Sequence, residues 1–328
     1  MVLFLNRDRE RAEFLQLNPH IAKLLNNDYS LRNIATIEEL CLNANNYIPM
    51  LYTQAEINFN YNDYSLDNYK KLFLYMVINN MLNYNLVYKN CNCSEKDVKE
   101  LVEILQSAFE QVRAFYIEYF SGILGLDVNV QEKLYGKRVV DINIHIGLKE
   151  QYNGALHDTY LMLNFCSYIK TALIRAGKIN QNMSQYEVAA VLYNWVVLHI
   201  RYPDRIFDGN FTGYYGLRYG YAVCQGYTAV YNALCKLFGI RVFGMQGKAK
   251  GHRNSGYENH IWTLAQINNR NVYIDTTWGR PRMENQEELQ RVLKSLGLSL
   301  YNFCDFNFFD IPYDVLSKDH SWDKRVYG

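Results

Sequence analysis

The hydrophobic periodicity of this chain changes part-way along it, and that change limits the folds the chain can adopt. From Glu95 to Leu124, apolar residues recur every three or four positions, which is the pattern of one helix face. Beyond Gly136 the spacing becomes two, as in a half-buried strand: Val140, Ile142, Ile144 and Ile146 alternate with polar residues. We therefore predict an all-α N-terminal region over residues 1–125 and an α+β domain over residues 126–328.

The same periodicity predicts further helices. Before the change they fall at residues 8–26, 35–47 and 66–88, and after it at 154–176 and 184–200. The last of these ends before Pro203, because proline cannot continue a helix. The most apolar stretch, Leu72 to Val87, is interrupted by asparagines and is too short to cross a bilayer. We expect a buried helix there and no membrane contact.

Composition excludes several classes of protein. The 328 residues suit two domains, or one domain with a large extension, and 49% hydrophobic content argues against disorder. A formal charge of +1 argues against a nucleic-acid partner held by bulk electrostatics. The seven cysteines have no regular spacing, which favours free thiols in a reducing compartment. The N-terminus lacks the pattern of a secretory signal, so we expect a cytoplasmic protein, with non-classical secretion left open.

A cysteine stands at the predicted start of an amphipathic helix. Cys224 follows Gly220-Tyr-Ala-Val, and the apolar stripe then runs to Leu237, with Gly239 in position to end the helix. The unpaired backbone N–H groups and the dipole at a helix N-terminus favour a thiolate over a thiol. A lone cysteine is more often a small buried hydrophobe, so the residues that follow decide between the two interpretations.

Those residues predict a β-hairpin that carries a histidine and an aspartate. Residues 247–259 are expected to form a loop, and 260–267 and 272–278 the two strands. A two-residue turn at Asn268-Asn269 pairs positions whose numbers sum to 537, which places His260 and Asp275 diagonally on one face. A three-residue turn without a bulge would place them on opposite faces.

A cysteine at a helix start with a histidine and an aspartate on adjacent strands is the pattern of a nucleophile, a general acid–base and an orienting carboxylate. The predicted catalytic residues are Cys224, His260 and Asp275. The backbone N–H of Cys224 would be one oxyanion donor. A second donor stays open among Tyr219, Tyr221 and Gln225.

Three motifs together resemble the transglutaminase-like superfamily, over about residues 185–320. They are Gly220-Tyr-Ala-Val-Cys-Gln-Gly-Tyr, Asn259-His-Ile-Trp and Val272-Tyr-Ile-Asp-Thr-Thr-Trp. The tail from Tyr301 to His320 is similar to that of uncharacterised bacterial members. The resemblance implies a papain-like α+β core, with a nucleophile helix packed on an antiparallel sheet, and a Cys–His–Asp triad. It says nothing about residues 1–125.

Metal and cofactor roles find little support in the sequence. Peptide N-glycanase relatives carry paired Cys-x-x-Cys zinc sites, whereas Cys91 and Cys93 are one residue apart with no second pair, so free thiols are favoured. We expect no cofactor and no metal.

Four residues are candidates to contact substrate: Tyr221, Gln225, Trp262 and Trp278. For the two tryptophans, a place in the core is equally open. We expect His252 to be a solvated loop residue and His320, beside Asp319, to make a structural hydrogen bond.

The function predicted is a cysteine-dependent enzyme that acts on carboxamide bonds of a protein or peptide through a thioester, most simply a peptidase or amidase. Within the same chemistry, the alternatives are acyl transfer to an amine, which cross-links proteins, and deamidation of glutamine. A non-catalytic scaffold is the alternative from another class. The sequence does not specify the oligomeric state.

Overall fold

The computed structural model describes residues 29–43, 50–88, 94–135, 137–148, 155–250, 256–279 and 304–324. The helices are α1 (Ile37–Asn43), α2 (Gln54–Ile57), α3 (Leu66–Ile78), α4 (Glu95–Phe115), α5 (Ile117–Phe120), α6 (Ala155–Arg175), α7 (Gln185–His199), α8 (Gly213–Tyr219), α9 (Cys224–Leu237) and α10 (Tyr313–Leu316). The strands are β1 (Asn83–Tyr88), β2 (Ile123–Tyr135), β3 (Lys137–Leu148), β4 (Arg241–Lys250), β5 (Tyr257–Ile267), β6 (Arg270–Ile274), β7 (Phe309–Ile311) and β8 (His320–Trp322).

The α+β class is confirmed, and α9 packs on an antiparallel sheet as predicted. Five strands form that sheet in the order β7-β6-β5-β4-β8, and α9 lies against β4 and β5. Two hydrogen bonds join the helix to β5: Thr228 Oγ1 donates to the Ile261 carbonyl at 3.2 Å, and Thr263 Oγ1 donates to Asn232 Oδ1 at 2.7 Å. These buried bonds fix the start of α9 relative to β5.

The expectation of an all-α N-terminal region is wrong at residues 83–88. The helix predicted over 66–88 ends at Ile78, because Asn79 caps it and Asn80 adopts a left-handed conformation with φ 56°. Asn83–Tyr88 instead forms β1 and pairs antiparallel with β3, which gives a second sheet of order β1-β3-β2. Sequence periodicity misses this strand because its pairing partner lies about sixty residues away.

Other predicted elements are shifted at their ends. The helix expected from residue 95 ends at Phe115, and the chain enters β2 at Ile123, after Gly122 turns it with φ 83°. The predicted helices 154–176 and 184–200 appear as α6 and α7, the second with a capping box between Ser184 and Glu187. The predicted helix 35–47 is described only at Ile37–Asn43, and the one at 8–26 lies outside the described residues.

The hydrophobic core is continuous across the predicted domain boundary. One cluster of buried side chains reaches from Leu31 to Phe309, and includes Phe73 and Phe120 before residue 125 and Trp195 after it. Division of the chain at residue 125 therefore stays a prediction. Within the described ranges, no helix is both long enough and apolar enough to span a membrane.

Candidate active site

Cys224 is the first residue of α9, as predicted. The preceding Val223 is the N-cap and offers no side-chain acceptor to the helix. By position, the first N–H groups of α9 lack partners within the helix. Cys224 itself is a free, partly exposed cysteine. Its surroundings at this helix end favour negative charge.

The approach of the chain to α9 is tightly packed. The Val223 N–H donates to the Asn210 carbonyl at 2.9 Å, so the residue before Cys224 is held against the short 3₁₀ helix at Asp208–Phe211 that precedes α8. A Cβ added at Gly226 would lie 2.8 Å from both the Ala222 Cβ and the Thr212 carbonyl oxygen. Only glycine lets the first turn of α9 come this close to its neighbours.

The hairpin has the predicted two-residue turn and register. Asn268 and Asn269 both have positive φ, 52° and 60°, the geometry of a type I′ turn. The pairs Ile267 with Arg270 and Thr263 with Ile274 obey the predicted pairing rule. The register prediction is therefore confirmed.

Two details of the hairpin differ from prediction. The strand expected over 272–278 ends at Ile274, because the Asp275 carboxylate turns the chain: its Oδ1 accepts from the N–H groups of Thr277 at 2.9 Å and Trp278 at 3.2 Å. Residues 247–250 and 257–259 belong to β4 and β5 rather than to a loop, with Gly247 opposite His260.

His260 and Asp275 meet in the interior. The His260 Nε2 lies 2.8 Å from Asp275 Oδ2, with side-chain exposures of 8% and 0%. Burial opposes the charge on His260, but the Asp275 charge and hydrogen bond outweigh burial and raise the pKa of the imidazole to about 10. Burial likewise disfavours a charged Asp275, yet His260 and the other donors hold the pKa of that carboxyl below its usual range.

The Cys224 thiol is a neighbour of His260, and its proximity also favours the charged imidazole. Since Asp275 occupies Nε2, the nitrogen left for the thiol is Nδ1. The structure thus brings together the three residues that the sequence predicted, one from a helix start and two from the neighbouring hairpin.

His320 is the site residue whose place the sequence did not indicate. Its Nδ1 lies 2.6 Å from Asp319 Oδ1, which agrees with the hydrogen bond expected from the sequence. Its Nε2, however, lies 3.5 Å from Asp275 Oδ2, the oxygen that His260 uses. The Asp319–His320 pair was the available signal, but nothing local in the sequence places β8 beside β4.

The predicted substrate residues have different environments. Tyr221 is exposed and lines a cavity of about 380 Å³ together with His199 and Arg201. The Gln225 amide nitrogen lies 3.5 Å from the Phe120 carbonyl. Their contact with substrate stays a prediction.

The two tryptophans separate into a core residue and a partly exposed one. Trp262 is fully buried, so its side chain is not open to substrate, and burial supports the core alternative. Trp278 is partly exposed and stacks on His260, with ring centroids 5.5 Å apart. It shields the imidazole from solvent on that side.

His260, Asp275 and His320 offer three possible metal ligands, whose atoms lie within 4.8 Å of one another. Two of these atoms are already hydrogen-bonded to each other, and both imidazoles have raised pKa values. A metal bound here would have to displace protons from both rings. The cysteines considered for a zinc site, Cys91 and Cys93, lie outside the described residues, as does the loop residue His252.

No protein-family model matches the chain, and no curated protein matches it. Among solved structures, it is similar to a proposed cysteine protease from Cytophaga hutchinsonii, with 14% identity over 47% of this chain and 65% of the other, and a TM-score of 0.29. A structure described as a TGase matches with 13% identity over 66% of this chain and 56% of the other, and a TM-score of 0.30. A proposed protease from Parabacteroides distasonis matches with 12% identity over 45% and 36%, and a TM-score of 0.25.

The chain spans less than two thirds of each of these proteins. With similarity this low, the functional interpretation of the site depends on its own geometry.

Proposed function

We propose that the chain is a cysteine-dependent enzyme that hydrolyses carboxamide bonds of a protein or peptide, with Cys224 as nucleophile. The observation that carries this proposal is a buried His260 that is hydrogen-bonded to Asp275 and has the Cys224 thiol as a neighbour. An imidazole with a pKa near 10 is protonated at neutral pH, and its charge stabilises a thiolate beside it.

In the first half of the reaction, the Cys224 sulfur attacks the carbonyl carbon of the amide. The S–C bond forms, and the π electron pair of the carbonyl moves onto its oxygen. The N–H of Cys224 at the start of α9 is placed to stabilise that oxyanion. When the C–N bond breaks, His260 gives its proton to the departing amine, which leaves a thioester on Cys224.

In the second half, neutral His260 takes a proton from water as the water attacks the thioester. The C–S bond breaks, a carboxylic acid is released and the thiolate–imidazolium pair returns. Asp275 keeps the same ring nitrogen engaged in both halves, so the other nitrogen always faces the sulfur.

The thioester also defines the nearest alternatives. An amine in place of water would give a cross-link, and a glutamine side chain as substrate of hydrolysis would be deamidated. The three outcomes share one nucleophile and differ only in product.

Substrate profiling tests the proposal directly. We expect a mixture of peptides incubated with the wild-type chain to yield cleaved peptides in mass spectra, and Cys224→Ala to yield none. Deamidation would instead add about one dalton, and a supplied primary amine would appear as an adduct if transfer is the reaction. Identical products from wild type and Cys224→Ala, or none from either, would contradict a role for Cys224 and favour a scaffold.

A further inference from the structure

The segment after α10 brings a second histidine to the proposed active site. His320 begins β8, which pairs with β4 through the contacts of His320 with Ala249 and of Trp322 with Gly247. This pairing needs a glycine on β4, because a Cβ at Gly247 would lie 2.1 Å from the Ser321 carbonyl oxygen. The backbone thus fixes the position of His320 relative to the sheet that carries His260.

The His320 ring is held on several sides. It is 3% exposed, and Asp319 holds its Nδ1 at 2.6 Å. Its ring centroid lies 4.7 Å from that of Trp262 and 4.6 Å from that of Trp278. With Nδ1 taken and the ring faces packed, only Nε2 remains, and it lies 3.5 Å from Asp275 Oδ2, an ion-pair contact that is too long for a hydrogen bond.

The Asp275 carboxylate is consequently approached by donors at every position it offers. Two backbone N–H groups bind Oδ1, and the two imidazoles approach Oδ2. A carboxylate has about four lone-pair sites, so three hydrogen bonds and the ion-pair contact of His320 restrict its rotation. Since Asp275 orients His260, whatever fixes Asp275 also fixes the direction of the His260 ring.

We propose that His320 is a positioning residue of the active site: held by Asp319, it anchors and partly neutralises the Asp275 carboxylate that orients His260. The contact itself is independent of the reaction, but its catalytic consequence rests on the proposed function.

The charges show why a second histidine would matter. Besides the Cys224 thiol next to His260, four titratable groups of the described residues meet here: Asp319 and His320 on one side, and Asp275 and His260 on the other. Burial opposes charge on His320, but the carboxylates of Asp275 and Asp319 prevail and raise its pKa. Charged His320 and His260 repel each other, so each lowers the pKa of the other.

This repulsion is useful in the second half of the proposed reaction. There His260 must act as a base, and an imidazole bound too firmly to its proton is a poor one. A cationic His320 on the same carboxylate weakens the hold of Asp275 on the His260 proton, while it keeps the carboxylate in place.

The test compares His320→Gln and His320→Asn with the wild type. A glutamine amide nitrogen can take the place of Nε2 beside Asp275, whereas that of the shorter asparagine lies farther away. Both variants remove the charge. We expect the pKa of His260, followed by NMR in histidine-labelled protein, to rise by about one unit in both variants. We also expect kcat at neutral pH to fall about tenfold, further for asparagine than for glutamine, with KM within about twofold.

Two further variants keep the test decisive. His145→Gln is the matched control, since His145 is an exposed histidine of β3 whose Nδ1 contacts Asn83; its effect should be nil. Asp319→Asn retains His320 and an acceptor for its Nδ1, but removes the negative charge that favours the His320 cation, and should likewise raise the pKa of His260. This variant provides the test if the His320 variants do not fold.

An unchanged His260 titration in the His320 and Asp319 variants would overturn the inference. Because this readout needs no substrate, it decides the matter even if the wild type shows no activity. A shifted His260 pKa with an inactive wild type would uphold the coupling and refute the proposed function instead.

Discussion

Asp275→Asn is the substitution with the most specific consequence for this site. It preserves shape and removes one charge. The backbone N–H groups of Thr277 and Trp278 bind Oδ1, so the new amide must turn its oxygen to them. Its NH2 group then faces His260 Nε2, which has to become an acceptor. His260 would be neutral and carry its proton on Nδ1, next to Cys224.

The size of the effect follows from the His260 pKa. The structure raises it from 6.5 to about 10, and the 8% exposure of the side chain allows little solvent screening. At 1.36 kcal/mol per unit, this is on the order of 5 kcal/mol in favour of the imidazolium. Without Asp275, burial remains as the largest cause and lowers the pKa, opposed only by the smaller effects of the Cys224 thiol. We therefore expect His260 in Asp275→Asn to titrate below about 6.5.

NMR of protein labelled with 15N-histidine reports the protonation state and the tautomer of His260, because both change the chemical shifts of the ring nitrogens. His260→Gln assigns the signal among the seven histidines. Activity should fall by about 10³- to 10⁴-fold, as when an orienting carboxylate of a catalytic triad is lost.

The matched control is Asp310→Asn. Asp310 pairs with Arg270 at 2.8 Å on the same sheet, and its φ of 55° suits asparagine. It should leave the His260 signal unchanged. A His260 in Asp275→Asn that still titrates above about pH 8, or still carries its proton on Nε2, would refute this account of the pair.

Three other predictions concern stability. Gly247→Ala should displace β8, because the new Cβ would clash with the Ser321 carbonyl oxygen. The variant should have a lower melting temperature and a changed His320 NMR signal. Glu118→Leu should lower the free energy of unfolding in urea by about 3–5 kcal/mol, because it leaves the largely buried charge of Lys236 without its partner. Adding Lys236→Met should recover part of this stability. A double variant that is no more stable than Glu118→Leu would contradict the prediction. The pKa of Asp275 in the folded state lies below the ordinary 3.8, so its charge stabilises the fold above pH 3.8, and this stabilisation is lost as the pH falls through the folded-state pKa. The difference in free energy of unfolding between wild type and Asp275→Asn should therefore shrink in acid. A difference that stays constant with pH would contradict this prediction.

The parts of the site that sequence predicts are those set by local rules. The turn at Asn268-Asn269 tolerates positive φ, and its length of two residues decides which side chains share a face. The helix start at Cys224 follows from the apolar stripe and from Gly239, which has φ 72°. Register and helix phase together place the three predicted residues near one another.

The parts that sequence does not predict depend on distant contacts. Asn83–Tyr88 is a strand because β3 pairs with it, although apolar residues continue from the preceding helix. The end of β6 is a local exception: the strand stops before Asp275 because the carboxylate of that residue caps the next turn. His320 reaches the site only because β8 pairs with β4, and three-residue strands carry too little periodicity to be recognised.

The reactivity of Cys224 tests the central claim most directly. Intact-protein and peptide mass spectrometry would give its rate of alkylation by iodoacetamide from about pH 5 to 9, with N-acetylcysteine as the free-thiol reference. We predict a rate above the reference at pH 6 and nearly constant to pH 8, and a return to free-thiol behaviour in His260→Gln. A Cys224 rate that follows the free thiol across this range, in wild type and variant alike, would contradict an activated nucleophile at this site.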